Sequence, residues 1–216
     1  MIDVTHLSFS FGNHLVLQDV SFTLGQGEFA FLMGPSGSGK TTLLRILHGA
    51  LPLTRGKATV AGFELRKITS WNRHLLRRMV SVVFQDFKVL PHRTVFDNVA
   101  LPLFVRGTAK DIIHKRVAVV LRSLHLEDKV QVRCEELSGG EQQRVAVARA
   151  IVVKPKVLLA DEPTGNLDRT LALRMMDVFR QFNRFGTTVL LATHNPEMVA
   201  RVPEARVLNI QEGRVV

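Results

Sequence analysis

Short apolar runs separated by glycine-containing turns occupy the first part of the chain. Apolar and polar positions alternate there up to turns at Gly12-Asn13 and at residues 25–27, a pattern typical of strands. Glu28–Met33 is a compact apolar run next to glycines, which predicts a buried strand. From Thr41 the apolar positions keep helical spacing until Gly49, and a β-type stretch follows at Lys57–Phe63.

The middle of the chain, at about residues 86–150, has a mostly helical pattern that is clearest at Asp111–Leu124. After it, strands are predicted at Val157–Ala160 and Thr188–Ala192, with a helix at Thr170–Phe185 between them. Strands that alternate with helices predict an α/β fold with a mainly parallel sheet. We therefore expect a single domain over residues 1–216, with an N-terminal antiparallel β portion and a helical subdomain inserted at about residues 86–150.

The amino-acid composition favours an anionic binding partner and excludes sites that need several cysteines. The 29 Lys and Arg residues against 19 Asp and Glu residues give a net charge of +10, which suits nucleotide, nucleic acid or an anionic membrane surface. Cys134 is the single cysteine, so an intrachain disulfide or a cysteine-rich metal site is excluded. No apolar stretch is long enough to span a membrane, and Met1–His6 lack the features of a signal peptide. We expect a cytosolic protein that contacts a membrane only from outside the bilayer.

The segment from Gly34 to Thr41 fits the pattern G-x-x-x-x-G-K-[ST] of a phosphate-binding loop. A predicted strand precedes it and a predicted helix follows it, as this loop requires. Backbone N–H groups and the helix N-terminus can then face one anion, Lys40 can reach the β- and γ-phosphates of ATP, and the Thr41 hydroxyl can ligate Mg²⁺. The predicted ATP-binding residues here are Gly34, Pro35, Ser36, Gly37, Ser38, Gly39, Lys40, Thr41 and Thr42.

Two acids follow the predicted strand at Val157–Ala160 directly. Asp161 stands where a carboxylate could join Thr41 in binding Mg²⁺. Glu162, one residue further on, points elsewhere and can polarise the attacking water as a general base. Together with the phosphate loop, these acids predict ATP hydrolysis.

The segment Leu137–Arg144 narrows the class of protein. Ser138 and Glu141 have the spacing of a capping box that opens a helix. A cap does not need the two glycines at 139 and 140, but glycines there would let an anion approach the helix N-terminus closely. Two separate loops of one small domain cannot easily wrap one nucleotide. The hypothesis is therefore a homodimer in which each chain offers this helix to the ATP of the other.

These motifs resemble those of the ATP-binding subunits of ABC (ATP-binding cassette) systems, from end to end of the chain. The resemblance implies an ABC nucleotide-binding domain whose signature motif acts on the ATP of the neighbouring chain. It also implies roles for single residues: Gln85 touches the metal and the nucleotide, His194 contacts the γ-phosphate as a catalytic residue, Asp168 lies at the dimer interface, and Phe11 stacks on adenine in place of the usual tyrosine. The signature residues are Ser138, Gly139, Gly140, Glu141 and Gln142.

Within the family, the chain is most similar to the ATPases of cell division, through Phe84–Asp86, Arg93–Leu103 and Ala160–Asp168. That similarity implies a peripheral position on the cytoplasmic face of the bacterial inner membrane and an integral, permease-like membrane partner, which we expect to dock along Asp86–Pro102. ATPases of lipoprotein release and macrolide export look very similar and stay open as an alternative.

A soluble ABC ATPase acting on nucleic acid is a more remote alternative, suggested by the net charge. The densest basic group is Arg73, His74, Arg77 and Arg78, with no aromatic residues interleaved. We therefore expect no specific nucleic-acid partner, and we interpret this group as a solvated or lipid-facing surface.

Overall fold

The computed structural model describes all residues from 1 to 216 and contains two sheets. The first sheet is antiparallel with the strand order β2-β1-β4-β5. Its strands are β1 (Ile2–Phe11), β2 (His14–Leu24), β4 (Arg55–Val60) and β5 (Phe63–Glu64). The single β-type stretch predicted at Lys57–Phe63 is two strands, because Ala61 and Gly62 both adopt a positive φ and turn the chain.

The second sheet has six strands in the order β10-β9-β3-β8-β7-β6, and it is parallel except for the β9–β10 pair. Its strands are β3 (Phe29–Met33), β6 (Val80–Val83), β7 (Val157–Asp161), β8 (Thr188–Thr193), β9 (Arg206–Gln211) and β10 (Arg214–Val215). The three strands predicted for this sheet are present within one residue at each end. Apolar runs with no polar face are typical of strands covered by other elements on both sides.

Seven helices complete the chain. They are α1 (Lys40–Leu47), α2 (Arg73–Met79), α3 (Val95–Val105), α4 (Lys110–Ser123), α5 (Gly139–Ile151), α6 (Arg169–Arg184) and α7 (Pro196–Ala200). The helices α3, α4 and α5 follow one another between β6 and β7, where the sequence predicts a helical subdomain; its existence as a separate unit stays a prediction. None of the seven helices combines the length and the apolar character that a membrane-spanning helix needs.

Two apolar cores lie on the two faces of the parallel sheet. Phe31, Leu158 and Leu191 belong to the core that also contains buried residues of α3 to α6. Their sequence neighbours Leu32 and Leu159 belong to the other core, with α1 and the antiparallel sheet. Side chains alternate between the two faces along a strand, so this alternation also fixes the face on which the last residue of each strand lies. The sheet thus determines which face each residue at its carboxyl edge can reach.

Candidate functional site

Ten of the predicted site residues meet where four neighbouring parallel strands end. β3 leads into the phosphate loop, β6 into the segment with Gln85, β7 ends at Asp161, and β8 is followed by His194. In open α/β sheets, ligands bind at this carboxyl edge. A cavity of about 320 Å³ lies there, which is within the usual size range of ligand sites. Its lining includes Ser36, Gly37, Gly39, Lys40, Thr41, Thr42, Gln85, Asp161, Glu162 and His194.

The phosphate loop packs closely against neighbouring residues at two of its glycines. A Cβ atom on Gly34 would lie 2.2 Å from the carbonyl oxygen of Ile210, and one on Gly39 would lie 2.7 Å from the Leu17 side chain. Gly39 also has a φ of 104°, which side-chain-bearing residues rarely adopt. The loop conformation therefore requires glycine at these positions.

The ammonium group of Lys40 folds back over this loop. It donates hydrogen bonds to the carbonyl oxygens of Gly34, at 2.7 Å, and Pro35, at 2.9 Å. Lys40 starts α1, so its charge lies beside the partial positive charge of that helix N-terminus. The positive end of this cavity suits an anion with several oxygens.

Asp161 is buried at 4% exposure and shares the sheet face of Leu159, on which α1 packs. Its Oδ1 atom is buried without a hydrogen-bond partner. Burial raises the pKa of this carboxyl group, and a hydrogen bond with the Thr41 side chain acts in the opposite direction. A buried carboxylate oxygen beside a hydroxyl suits a cation that prefers oxygen ligands. No group of three or more His, Cys, Asp or Glu residues could hold a metal, so phosphate or water oxygens would have to complete the coordination.

Glu162 is oriented by its backbone and by His194. Its φ of 47° is left-handed, and its carbonyl oxygen accepts hydrogen bonds from the Gly165 N–H and from the side chain of Gln143. Its side-chain Oε1 lies 2.8 Å from Nδ1 of His194. The proposed general base and the proposed γ-phosphate contact are thus directly hydrogen-bonded to each other.

The predicted signature residues lie outside this cavity. Ser138 caps α5, and the complete capping box with Glu141 is present. The hydrogen bond from the Ser138 backbone lowers the pKa of Glu141. A Cβ on Gly139 would meet nothing within 4 Å, whereas one on Gly140 would approach Leu167. Apart from this capping box, the helix N-terminus is exposed at Ser138 and Gly139 and is accessible to another molecule.

Two further predicted residues also stand apart from the cavity. Asp168 caps α6 through the Leu171 N–H, and it is exposed. Phe11 lies at the end of β1, is 51% exposed and packs edge to face against Phe9. It is absent from the cavity lining, so its stacking on adenine stays a prediction.

Three residues contribute to the site without any signal in the sequence. Val16 of β2 lines the cavity beside the phosphate loop. Gln143, buried in α5, donates to the Glu162 carbonyl oxygen. Arg149 donates to the carbonyl oxygens of Phe87 and Lys88, just after Gln85, at 2.9 and 2.7 Å. These contacts join residues that are distant in sequence, and no local pattern indicates them.

The segment at Asp86–Pro102, where we expect a partner to dock, is only partly available. Val89 packs against the core, Phe87 is half-buried, and Leu90 is 41% exposed. The basic group around Arg73 and Arg77 belongs to α2 and contributes to the lining of an open groove. His74, Arg77 and Arg78 are exposed, and the interpretation of this group as a solvated or lipid-facing surface stays a prediction.

Comparison with known proteins gives consistent matches along the whole chain. The model of the ABC transporter family matches residues 17–165. The cell division ATP-binding protein FtsE of Escherichia coli strain K12 is 44% identical over 216 residues, covering 100% of this chain and 97% of that protein. FtsE of Streptococcus pneumoniae strain D39 is 48% identical over 200 residues, covering 93% of this chain and 86% of that protein.

Solved structures of ABC cassettes agree with this family match. A dimeric bacterial ABC transporter cassette has a TM-score of 0.91 and 31% identity, covering 100% of this chain and 96% of that chain. The same cassette in a dimeric post-hydrolysis state bound to ADP and Pi has a TM-score of 0.91, 30% identity and the same coverage.

Proposed function

This chain belongs to the ABC transporter family of ATP-binding subunits, and from that membership we propose that it drives a cell-division complex at the membrane. It binds and hydrolyses ATP as the nucleotide-binding subunit of an ABC complex. The observation that carries the proposal for this site is the cavity at the ends of β3, β6, β7 and β8. There a phosphate-binding loop faces two carboxylates, an amide and an imidazole.

We propose that Thr41, Gln85 and Asp161 hold Mg²⁺ together with the phosphates of ATP. The unpartnered buried oxygen of Asp161 and its contact with Thr41 support this assignment. The ion, when bound, would neutralise charge on the β- and γ-phosphate oxygens. Lys40 would leave the carbonyl oxygens of Gly34 and Pro35 to bind the same phosphates.

Glu162 would take a proton from the attacking water, since it lines the same cavity as Lys40 and the phosphate loop. His194 is hydrogen-bonded to Glu162 and lines the same cavity, so it can keep that carboxylate oriented while it contacts the γ-phosphate. The left-handed backbone of Glu162 separates its direction from that of Asp161. Metal binding and water activation would then fall to adjacent but differently directed acids.

A homodimer formed on ATP binding would complete each site. The residues Ser138, Gly139, Gly140, Glu141 and Gln142 lie at an exposed helix N-terminus outside the cavity of their own chain. A second copy could place this terminus against the γ-phosphate, where the helix dipole would favour negative charge. Asp168, exposed at the start of α6, would lie at the interface between the copies.

For the membrane complex we propose an integral, permease-like partner of the FtsX type and a peripheral position on the cytoplasmic face of the bacterial inner membrane. The similarity to cell division ATP-binding proteins supports this choice over lipoprotein release or macrolide export. Copurification with an epitope-tagged partner of each type would separate these alternatives. Binding of DNA at physiological salt concentration would instead support the nucleic-acid alternative.

The proposed catalytic roles predict that Lys40→Ala and Glu162→Gln fail in different ways. Loss of the Lys40 charge should weaken ATP binding and hydrolysis together. Glu162→Gln keeps the shape of the side chain but cannot accept the proton, so hydrolysis should fall by about 10²-fold or more while ATP still binds. ATP affinity and turnover are measured for each variant.

Matched controls are Lys110→Ala and Glu127→Gln, because both residues are exposed and outside the cavity. Both controls should keep the affinity and turnover of the unmodified chain. Turnover close to that of the unmodified chain in Glu162→Gln would remove Glu162 from the role of general base.

A further inference from the structure

The side chain of Gln143 is buried at the fifth position of α5, with an exposure of 1%. Its Nε2 atom donates a hydrogen bond of 3.3 Å to the backbone carbonyl oxygen of Glu162, 19 residues further along the chain. A carbonyl oxygen only accepts hydrogen bonds, so the amide nitrogen has to be the atom that faces it. The amide oxygen, Oε1, is then buried without a hydrogen-bond partner.

This unpaired oxygen means that packing alone does not account for a glutamine at this position. A buried polar atom without a partner lowers stability, whereas an unbranched apolar side chain of similar length carries no such penalty. The buried positions that follow in α5 are apolar: Val145, Ala146, Val147 and Ala148. A buried polar group that is only partly satisfied calls for another explanation, and a role at a neighbouring catalytic site is one of the recognised ones.

Gln143 contacts the backbone of the proposed general base. Glu162 has a φ of 47°, a left-handed conformation that is unfavourable for a residue with a side chain. Its N–H donates to the carbonyl oxygen of Ala192 in β8 at 3.0 Å, and its own carbonyl oxygen also accepts from the Gly165 N–H at 3.2 Å. Gly165 belongs to the same turn after β7, so Gln143 supplies the contact to this carbonyl group from another element of the fold.

The first turn of α5 packs closely against the segment that follows Glu162. A Cβ atom on Gly140 would lie 3.3 Å from the Leu167 side chain and 3.5 Å from the carbonyl oxygen of Asn166. The amide of Gln143 is therefore presented by a helix that is itself held against this segment. Side chains on such rigid elements position a site more precisely than side chains on loops.

We propose that Gln143 is a positioning residue, which holds the Glu162 backbone so that the carboxylate is directed at the attacking water. The inference rests on the proposed function, since it takes Glu162 as the general base. Efficient catalysis needs its groups within about 0.5 Å of the productive geometry, so one backbone hydrogen bond can control turnover without touching the nucleotide. Because Ser138 and Gly139 at the start of the same helix are proposed to face the ATP of a second copy, α5 would connect that ATP with the base of its own chain.

Gln143→Met tests this role, because it removes the amide nitrogen and the unpaired oxygen but keeps the length of the side chain. Turnover should fall about tenfold or more, since the carboxylate loses its fixed direction. The affinity for ATP should change less than about twofold, because Gln143 does not line the cavity. The midpoint of urea unfolding should stay the same or rise, as a buried unpaired oxygen is lost. A residue that only stabilises the fold would instead lower the midpoint and leave the turnover of the folded chain unchanged.

The matched control is Asn183→Leu. The Asn183 amide also donates to backbone carbonyl oxygens, those of Gly27 at 2.8 Å and Thr187 at 2.9 Å, but at the amino-terminal ends of β3 and β8 and outside the cavity. This variant should unfold at a lower urea concentration, yet its turnover while folded should stay within about twofold of that of the unmodified chain. If Gln143→Met does not fold, Gln143→Leu allows the same measurements.

Single-turnover hydrolysis in the Glu162→Gln background separates positioning of this carboxylate from a general disturbance of the site. If Gln143 acts through the carboxylate of Glu162, adding Gln143→Met to Glu162→Gln should lower the residual rate less than about twofold. Equal fold-losses with and without Glu162→Gln would overturn the inference, as would unchanged turnover in Gln143→Met. Turnover close to that of the unmodified chain in Glu162→Gln itself would instead count against the proposed function.

Discussion

At the residue scale, one backbone angle separates the environments of the adjacent acids Asp161 and Glu162. Asp161 continues the alternation of β7 and so is directed to the face on which α1 and Thr41 lie. Glu162 adopts a left-handed conformation, which costs an L-residue roughly 1–2 kcal/mol, and its side chain meets His194 instead. A strained backbone conformation of this kind persists only where surrounding contacts fix it. Here the contacts are hydrogen bonds made by both the N–H and the C=O of Glu162.

The buried His48 side chain makes the stability of the folded chain depend on pH. Burial, followed by the charge of Arg77, lowers its pKa from 6.5 to about 4. The unfolded chain binds a proton at this residue below pH 6.5, whereas the folded chain does not until about pH 4. Stability from this group is therefore fully present above pH 6.5 and is lost as the pH falls towards 4.

When the pH falls from 7.5 to 5, the unfolding free energy of the unmodified chain should fall by about 2 kcal/mol because of His48. The His48→Asn variant should not show this part of the decrease. Urea unfolding at both pH values measures the difference. His14→Asn, at an exposed position, serves as the matched control and should retain the pH dependence of the unmodified chain. An identical loss in His48→Asn and in the unmodified chain would contradict the prediction.

At the scale of elements, the sequence predicts what is local. The helices predicted at Asp111–Leu124 and Thr170–Phe185 are displaced by one residue from α4 and α6, because their apolar spacing determines them directly. The phosphate loop and the acid pair are also local patterns. In contrast, nothing in the sequence around Phe87 and Lys88 indicates two successive left-handed residues, since neither is glycine. Arg149, about sixty residues later, holds them, and only the tertiary structure reveals that contact.

This contact predicts the behaviour of the segment that follows β6. Arg149→Met removes both hydrogen bonds to the carbonyl oxygens of Phe87 and Lys88. Amides of residues 85–90 should then exchange hydrogen about tenfold faster or more, since a hydrogen bond from a charged group contributes roughly 1.5–3 kcal/mol. Turnover should fall because Gln85 is no longer held at the cavity. Exchange measured by mass spectrometry, with a turnover assay, tests both effects.

Arg66→Met is the matched control, because Arg66 also donates to backbone carbonyl oxygens but far from this segment, at Gly56 and Thr54. Its exchange at residues 85–90 should equal that of the unmodified chain. Unchanged exchange in Arg149→Met would show that other contacts hold the segment.

At the scale of the whole molecule, the two halves of the proposed site lie at different places on one chain. The phosphate loop and the acids lie at the carboxyl edge of the parallel strands, whereas the N-terminus of α5 is exposed outside that cavity. The alternation of apolar residues makes the fold class predictable from the sequence. The separation between cavity and signature helix follows from packing across the core, so the sequence alone could support only a hypothesis about a second chain.

Mixing experiments give the sharpest test of shared sites. Gly139→Asp places a negative charge where the neighbouring phosphates would lie, and its own chain should tolerate it because a Cβ there meets nothing. If each site combines Lys40 of one copy with Gly139 of the other, an equal mixture of Lys40→Ala and Gly139→Asp chains forms hybrids with one intact site. Turnover should then recover to about a quarter of that of the unmodified dimer, as half of random pairs are hybrids.

The decisive comparison is a chain carrying both changes, mixed equally with the unmodified chain. Shared sites leave such hybrids with no intact site, so about a quarter of the activity should remain, in the homodimers of the unmodified chain. Sites contained within one chain would instead leave about half of the activity in this mixture and none in the mixture of single variants. Shared sites therefore predict equal activity in the two mixtures, whereas sites within one chain predict activity only in the mixture that contains the unmodified chain, and this comparison does not depend on the absolute turnover rate. A higher activity in the mixture with the doubly changed chain would assign the signature helix to its own nucleotide.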